Sequence, residues 1–481
     1  MAGKLHGGMI FNTGKPYPWP ALPQSLPAQP LRMTCPNTPI VSVGQAVVAG
    51  QRLTEPLHPM SPCFFSPVAG TVSAITPWEP DALYEKNHHR DPHTRKHPAK
   101  KLYDVHIHPI VEDDGEEGEG EGKGVPTSLK IAAPTKPDVK EWFDHLRNFG
   151  PWQQDEIGCD LITQLAASLQ AKGKLIRHLV CIGLDAYSPY PDRSSLLMTF
   201  PDDAVLGLQI LGNLLDIKRP RLLVQDNPDL IDVLKRPCKS FDVKLVADFN
   251  RYPAADPTLV AYRHCGETML TANAAPTDGR MVMVTPWTVI RIARWVTRRR
   301  LDLVQPVMIA EPQRDKHPQR HYAFPGTEIC AVDHTLHGCP QRLEGKLISG
   351  NPMTGLTLHA PLTENKGLLS PTIRHSTQML TILASSHFLD STPCNTCGWC
   401  TDVCPTGLQP VHLAESIQNF NSTKEKFSNV SSTKPTQTVE YPKQIQKQLD
   451  YCIDCGLCTH VCPTHLPIAQ TIRAAIAKQK G

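Results

Sequence analysis

Two short cysteine runs near the C-terminal end constrain this chain more than anything else in it. The first is Cys394-Asn-Thr-Cys397-Gly-Trp-Cys400-Thr-Asp-Val-Cys404-Pro405, and the second is Cys452-Ile-Asp-Cys455-Gly-Leu-Cys458-Thr-His-Val-Cys462-Pro463. Together they hold eight of the sixteen cysteines. The opening MAGKLHGGMIFN has no signal-peptide core, so reduced thiols are expected rather than disulfides. Both runs fit C-x2-C-x2-C-x3-C-P. In that spacing three thiolates on a tight loop cap one face of an iron–sulfur cubane, and the fourth, one helical turn on, points to the neighbouring cubane. The expected assignment is Cys394, Cys397, Cys400 and Cys462 around one [4Fe–4S] cluster, with Cys452, Cys455, Cys458 and Cys404 around the other. Gly398 and Gly456 let backbone amides approach cluster sulfurs, and Pro405 and Pro463 turn the chain away. Paired C-x2-C units also build tetrahedral zinc sites, but those need no third cysteine at this spacing.

The runs start 58 residues apart, at Cys394 and Cys452, much further than in a compact bacterial ferredoxin. Between them the periodicity predicts helices over Val411–Phe420 and Lys443–Leu449, separated by a polar stretch, Asn421 to Thr438, that reads as a solvated loop. A closing helix is expected from Ile468 to Lys478. This alternation resembles an α-helical ferredoxin domain. Two clusters side by side, with no substrate motif nearby, imply a relay for single electrons whose potentials are tuned by hydrogen bonds and burial.

A chain of 481 residues is too long for one core, so about three or four domains are expected. The net charge of +3 leaves no electrostatic footprint for nucleic acid. No apolar run approaches the roughly 18 residues of a membrane-spanning helix. The expected location is therefore cytosolic or peripheral to a membrane. Near the N-terminus, Val41-Ser-Val-Gly44-Gln-Ala-Val47-Val-Ala-Gly50-Gln51-Arg-Leu53 and Ser66-Pro67-Val-Ala-Gly70-Thr71-Val72 alternate apolar residues with glycine turns. The pattern is similar to the barrel-sandwich half-repeat of biotinyl and lipoyl domains. The hairpin Thr54 to Pro62 carries no lysine, which favours a rigid docking module over a swinging arm.

Residues 84–108, with His88, His89, His93, His97, His106 and His108, read as a solvated loop, and Asp113 to Gly124 as a flexible acidic linker. From 135 to 300 the pattern is α/β. Helices are expected over Leu161–Leu169, Asp203–Leu215 and Thr288–Arg299. Buried strands are expected over Leu179–Ile182, Leu222–Val224, Val243–Ala247 and Met281–Val284. The arginines at 291, 294, 298, 299 and 300 read as a solvated face. Residues 302–362 read as a small β-rich domain with a turn at Ser349-Gly350-Asn351-Pro352-Met353-Thr354-Gly355. The scattered cysteines 35, 63, 159, 181, 238, 265, 330 and 339 read as small buried hydrophobes.

In this order the pieces resemble the RnfC/RsxC family, one of the subunits of the Rnf (also called Rsx) ion-translocating electron transport complex. The resemblance is carried by Lys4-Leu-His6-Gly7-Gly8, the Val-Gly-x2-Val-x2-Gly-Gln segment, Pro189-Tyr190 before Leu197-Met198, the Gly-Asn-Pro-Met-Thr-Gly turn and the paired cysteine runs. It implies a multidomain α/β and α+β chain: a barrel-sandwich domain over 1–80, an irregular linker over 81–134, and a Rossmann-like domain related to the flavin subunit of complex I over 135–301. A β-grasp (SLBB) domain over 302–362 and the helical ferredoxin domain over 363–481 would follow. It also implies other subunits of a membrane-bound complex as partners, a soluble electron donor or acceptor, and peripheral attachment to the cytoplasmic face of the inner membrane.

Where the family has a glycine-rich phosphate loop, this chain reads Asn148-Phe-Gly150-Pro-Trp152-Gln-Gln-Asp-Glu-Ile-Gly158, with Trp152 and two glutamines where glycines are needed. The family's paired glutamates fall at Ala186 and Ser188, near Asp185, and its Gly-Gly-Glu element at Ala254-Ala255-Asp256. The α/β domain is therefore expected to be a scaffold that no longer binds FMN or NADH. The alternative reading, a soluble flavoprotein reductase of the cobalamin-reductase type, needs that loop intact.

Overall fold

The computed structural model describes residues 7–11, 15–36, 38–78, 90–91, 96, 98–110, 124–150, 152, 157–170, 176–187, 189–248, 251–266, 271–311, 318–332, 346–358, 371–383, 390–428 and 440–480. An antiparallel sheet opens the chain: β1 (Leu31–Cys35), β2 (Ala46–Val47), β3 (Gly70–Trp78) and β4 (Leu102–Pro109), in the order β1-β4-β3-β2. Alternation drives it: Leu31, Met33 and Cys35 face the core, while Arg32 and Thr34 are half-buried. β4 corrects the expectation of a solvated loop and irregular linker over this stretch. Leu102, Val105 and Ile107 are buried against β1 and β3, and the histidines between them masked the strand signal. His88, His89, His93, His97 and almost all of the acidic run lie outside the described residues.

The α/β part begins with α1 (Val139–Arg147), whose N-cap Asp138 accepts a 2.8 Å hydrogen bond from the Glu141 amide, and α2 (Leu161–Gln170). A parallel sheet follows, alternating with helices: β5 (His178–Ile182), α3 (Arg193–Thr199), α4 (Pro201–Leu214), β6 (Arg221–Gln225), α5 (Pro228–Ser240), β7 (Lys244–Asp248), β8 (Met281–Val284) and α6 (Pro286–Arg298). Its order is β7-β6-β5-β8, and every pairing is parallel. The central strands are near-continuous apolar runs because helices cover both faces. Proline at the first position helps start α4, α5 and α6. Helices α4 and α6 cross so closely that a Cβ on Gly207 would lie 1.9 Å from the Val289 carbonyl oxygen. Gly207→Ala is expected to cost about 1–3 kcal/mol through overpacking, read as a lowered thermal midpoint.

A five-stranded sheet comes next: β9 (Gln305–Ala310), β10 (Gln319–Ala323), β11 (Lys346–Ser349), β12 (Leu356–Thr357) and β13 (Met379–Leu383), ordered β10-β9-β13-β11-β12. β13 is central, parallel to β9 and antiparallel to β11, so this sheet extends past the expected limit at 362. Five short or medium helices complete the chain: α7 (Trp399–Asp402), α8 (Pro410–Ser428), α9 (Lys443–Tyr451), α10 (Leu457–His460) and α11 (Ile468–Lys480). Helix α8 runs past Phe420 into the polar stretch, where no proline or glycine stops it before residue 428. The N-terminal sheet, the α/β part and one side of the five-stranded sheet (Met308, Tyr322, Met379) share one apolar core; the other side of that sheet and the C-terminal helices have their own. Among the described residues no helix is long and apolar enough to cross a membrane. Cys35, Cys63, Cys159, Cys181 and Cys238 are buried and Cys265 is half-buried; Cys339 lies outside the described residues.

Candidate functional site

The two cysteine runs fold into loops with the same backbone. The residue before the second cysteine is left-handed in each, Thr396 at φ 56° and Asp454 at φ 53°. So is the glycine after it, Gly398 at φ 80° and Gly456 at φ 78°. One turn of helix follows, α7 or α10, and then a third left-handed residue, Gly407 or His465, two positions beyond the proline. Alternating left- and right-handed residues turn successive amides toward one concavity, a geometry suited to an anionic group such as a thiolate-ligated cluster. Hydrogen bonds to the sulfurs are already in place. The Thr396 amide donates to Cys394 Sγ at 3.4 Å and the Leu408 amide to Cys404 Sγ at 3.3 Å. Thr406 and Thr464 hydroxyls lie 3.5 and 3.2 Å from the sulfurs of Cys404 and Cys462. Burial works against the Cys462 thiolate, but the Thr464 hydroxyl and the amides of Leu466, Thr464 and His465 outweigh it and hold the group below the usual thiol range.

One cavity is lined by Cys404, Cys452, Cys455 and Cys458, closed by apolar neighbours such as Leu408 and Ile472. The structure thus brings the last cysteine of the first run to the three leading cysteines of the second. Burial pushes the Cys452 and Cys458 thiols up to about 12 and Cys455 well above the usual range. Such groups become thiolates when a metal compensates their charge. Among the described residues no three His, Cys, Asp or Glu side chains stand close enough to share a single ion. The number of the cavity's thiols, their half-buried setting and the sulfur-directed amides fit a cubane.

The cavity's four cysteines are half-buried; the other loop is more open at its second cysteine and the tryptophan two residues on. Cys400 is buried and Cys394 and Cys462 are half-buried, but Cys397 is exposed. Trp399 is 54% exposed, whereas its counterpart Leu457 is 0% exposed. The difference comes from the rest of the chain. A Cβ on Gly456 would sit 2.6 Å from the Met353 carbonyl oxygen, whereas one on Gly398 would meet nothing within 4 Å. Met353 belongs to the glycine turn after β11, folded around Asn351, whose Oδ1 accepts from the Met353 and Thr354 amides at 2.9 and 3.0 Å. Helices α7 and α10, which carry Cys400 and Cys458, pack against each other, so the two sets of thiols adjoin. The sequence marked the glycine turn and the opening Gly7-Gly8 as motifs, but neither carries a local signal of what it packs against.

In the stretch set by sequence against a flavin phosphate loop, Trp152 is described and the residues on either side of it, 151 and 153–156, are not. Trp152 is 1% exposed. Its amide donates to Asp160 Oδ2 at 2.9 Å, its indole N–H to the Leu146 carbonyl at 2.9 Å, and its own carbonyl accepts from Thr288 Oγ1 at 2.6 Å. The ring packs 5.7 Å from Trp295 and lies 4.4 Å below the Arg291 guanidinium. Arg291 and Arg294 are buried, which corrects the solvated face expected for these arginines. Asp302 provides the compensation, pairing with Arg294 at 3.1 Å and accepting from Arg291 Nε through its carbonyl at 3.2 Å. Asp185 is spent on the Ser194 amide and hydroxyl, at 2.9 and 2.6 Å, and on the Gln225 amide group. Asp256 caps the short helix Pro257–Val260 and pairs with Arg90 at 3.1 Å. Ser188 and residues 153–156 lie outside the described residues. Among the described residues of the phosphate-loop stretch, the Trp152 amide is taken by Asp160 and is not bare for a phosphate.

A family model described as a 4Fe-4S dicluster domain matches residues 390–466. The RnfC protein of the ion-translocating oxidoreductase complex of Serratia proteamaculans is 24% identical over 387 residues, covering 78% of this chain and 48% of that one. The corresponding Yersinia pestis protein is 24% identical over 374 residues, 77% of this chain and 53% of that one. Its counterpart in the Na(+)-translocating ferredoxin:NAD(+) oxidoreductase complex of Acetobacterium woodii is 26% identical over 408 residues, covering 81% and 80%. The chain spans about half the length of the Serratia and Yersinia relatives. Among solved structures, an NAD+-reducing [NiFe]-hydrogenase in the air-oxidized state aligns with a TM-score of 0.42 at 12% identity, over 72% of this chain and 63% of that one. The chain is thus a homologue of the RnfC proteins of ion-translocating oxidoreductase complexes, with a 4Fe–4S dicluster domain at its C-terminal end.

Proposed function

We propose that this chain is the electron-transfer iron–sulfur subunit of a membrane-associated Rnf-like complex, peripheral on the cytoplasmic face and part of a translocase rather than a catalyst alone. The observation that carries the reading is the convergence of Cys404 on the cavity of Cys452, Cys455 and Cys458. With Cys394, Cys397, Cys400 and Cys462 as the second set, each group of four thiolates would hold one [4Fe–4S] cluster. The clusters supply one-electron carriers when bound. The chain's own residues fix the thiols, donate amides and hydroxyls to the sulfurs, and leave Cys397 exposed while Cys455 is half-buried. The exposed Cys397 loop suits electron exchange with a soluble donor or acceptor or a neighbouring subunit, and the cavity held against Met353 and Tyr252 suits passage within the chain.

The remaining domains are read as a supporting frame: a barrel-sandwich unit that includes β4, a Rossmann-like domain, a β-grasp domain that includes β13, and a helical ferredoxin domain from about residue 390. The Trp152 plug favours an α/β scaffold without FMN or NADH, and it weighs against a soluble flavin reductase. Cofactor analysis of anaerobically purified protein tests this. About eight iron and eight sulfide per chain are expected, as two cubanes require, with no released flavin and little NADH oxidation. Stoichiometric FMN with brisk NADH oxidation would overturn the scaffold reading.

A further inference from the structure

The two loops share a backbone but differ in what holds them to the rest of the chain. Tyr252, just beyond β7, is 3% exposed. Its amide and carbonyl pair with Met9 in both directions at 2.9 Å, and its ring packs edge-on against Phe11 and Tyr187, with centroids 5.7 and 6.0 Å apart. With backbone and ring both fixed, the hydroxyl has little freedom. It donates to the Cys455 carbonyl at 2.7 Å. The same N-terminal segment reaches the other contributor to that cavity. The Gly8 amide donates to the Val403 carbonyl at 2.8 Å, and a Cβ on Gly7 would come within 2.6 Å of the Cys404 carbonyl oxygen. Tyr252 and the 7–11 segment thus clamp Cys455 and Cys404 together, whereas the equivalent Cys397 lies exposed at the surface.

We propose that Tyr252 is a positioning residue of the iron–sulfur site of Cys404, Cys452, Cys455 and Cys458, its hydroxyl fixing the Cys455 loop and raising that site's reduction potential relative to the Cys397 site. This rests on the dicluster reading above. A cluster gains negative charge on reduction, and its potential follows the hydrogen bonds and dipoles around it. The positive end of the Tyr252 O–H dipole faces the Cys455 peptide, and with Tyr252 itself buried, water screens the contact little. It therefore favours the reduced state, and removing it lowers the potential.

The test is Tyr252→Phe in the full chain, loaded anaerobically with iron and sulfide and titrated by EPR-monitored potentiometry. The expected result is a negative shift of one midpoint potential, in the centre whose signal changes in Cys455→Ser, with the other centre unmoved and iron content retained. A ring-fluorinated tyrosine placed at 252 keeps the shape and strengthens the donor, so the same centre is expected to shift positive. Should the phenylalanine protein fail to retain iron, the fluorinated protein alone decides. Unmoved potentials, or equal shifts in both centres, overturn the inference. A wild-type chain holding fewer than two clusters overturns the dicluster reading and this inference with it.

Discussion

Cys404→Ala is expected to abolish the EPR signal of the cluster belonging to the other cysteine run, and to lower iron from about eight to about four per chain. Sequence proximity alone would group Cys404 with Cys394, Cys397 and Cys400. The one-turn helix α7 lies between Cys397 and Cys404 and carries the chain across to the second loop, where Cys404 lines the cavity of Cys452, Cys455 and Cys458. The prediction is therefore about pairing as well as loss. Cys404→Ala and Cys455→Ala should remove one signal, and Cys462→Ala and Cys397→Ala the other. Serine at 404 still offers a ligand atom and should alter the g-values of that same signal. If Cys404→Ala and Cys397→Ala instead extinguish the same signal, the crossed ligand sets are wrong.

How much of this was legible in the sequence depended on how local the cause was. A cluster loop is specified by nearest neighbours, cysteine spacing, glycines and a following proline, so both loops stand out from the string. The parallel strands were legible because burial on both faces makes them short apolar runs, as in Leu179–Ile182 and Met281–Val284. β4 was not, because His106 and His108 interrupt the apolar residues that face the core. The burial of Arg291 and Arg294 was hidden because their compensating partner, Asp302, follows helix α6 and meets it only through tertiary folding. The contacts of Met353 with Gly456 and of Tyr252 with Cys455 are of the same kind: about one hundred and two hundred residues of separation leave no local pattern.

Trp152→Ala is expected to destabilise the chain by about 3–5 kcal/mol, the usual cost of emptying a buried aromatic site, and to do so without creating a flavin site. The indole supports several other groups at once. It packs against Trp295, lies under the Arg291 guanidinium and donates to the Leu146 carbonyl at the end of α1. Alanine removes the ring, leaves the Leu146 carbonyl without its indole donor, and takes away the apolar cover from a buried cation. Arg291 keeps the Asp302 carbonyl, so the loss should be large without being a complete collapse of the charge network. The measurement is a denaturant or thermal transition followed at the α/β part by tryptophan fluorescence, with and without added FMN. A marked fall in the midpoint, with no shift on adding FMN to either protein, is the expected pair of results. A wild-type midpoint that rises with FMN would mean that the flavin finds a seat despite Trp152, and the scaffold reading of the α/β domain would fall.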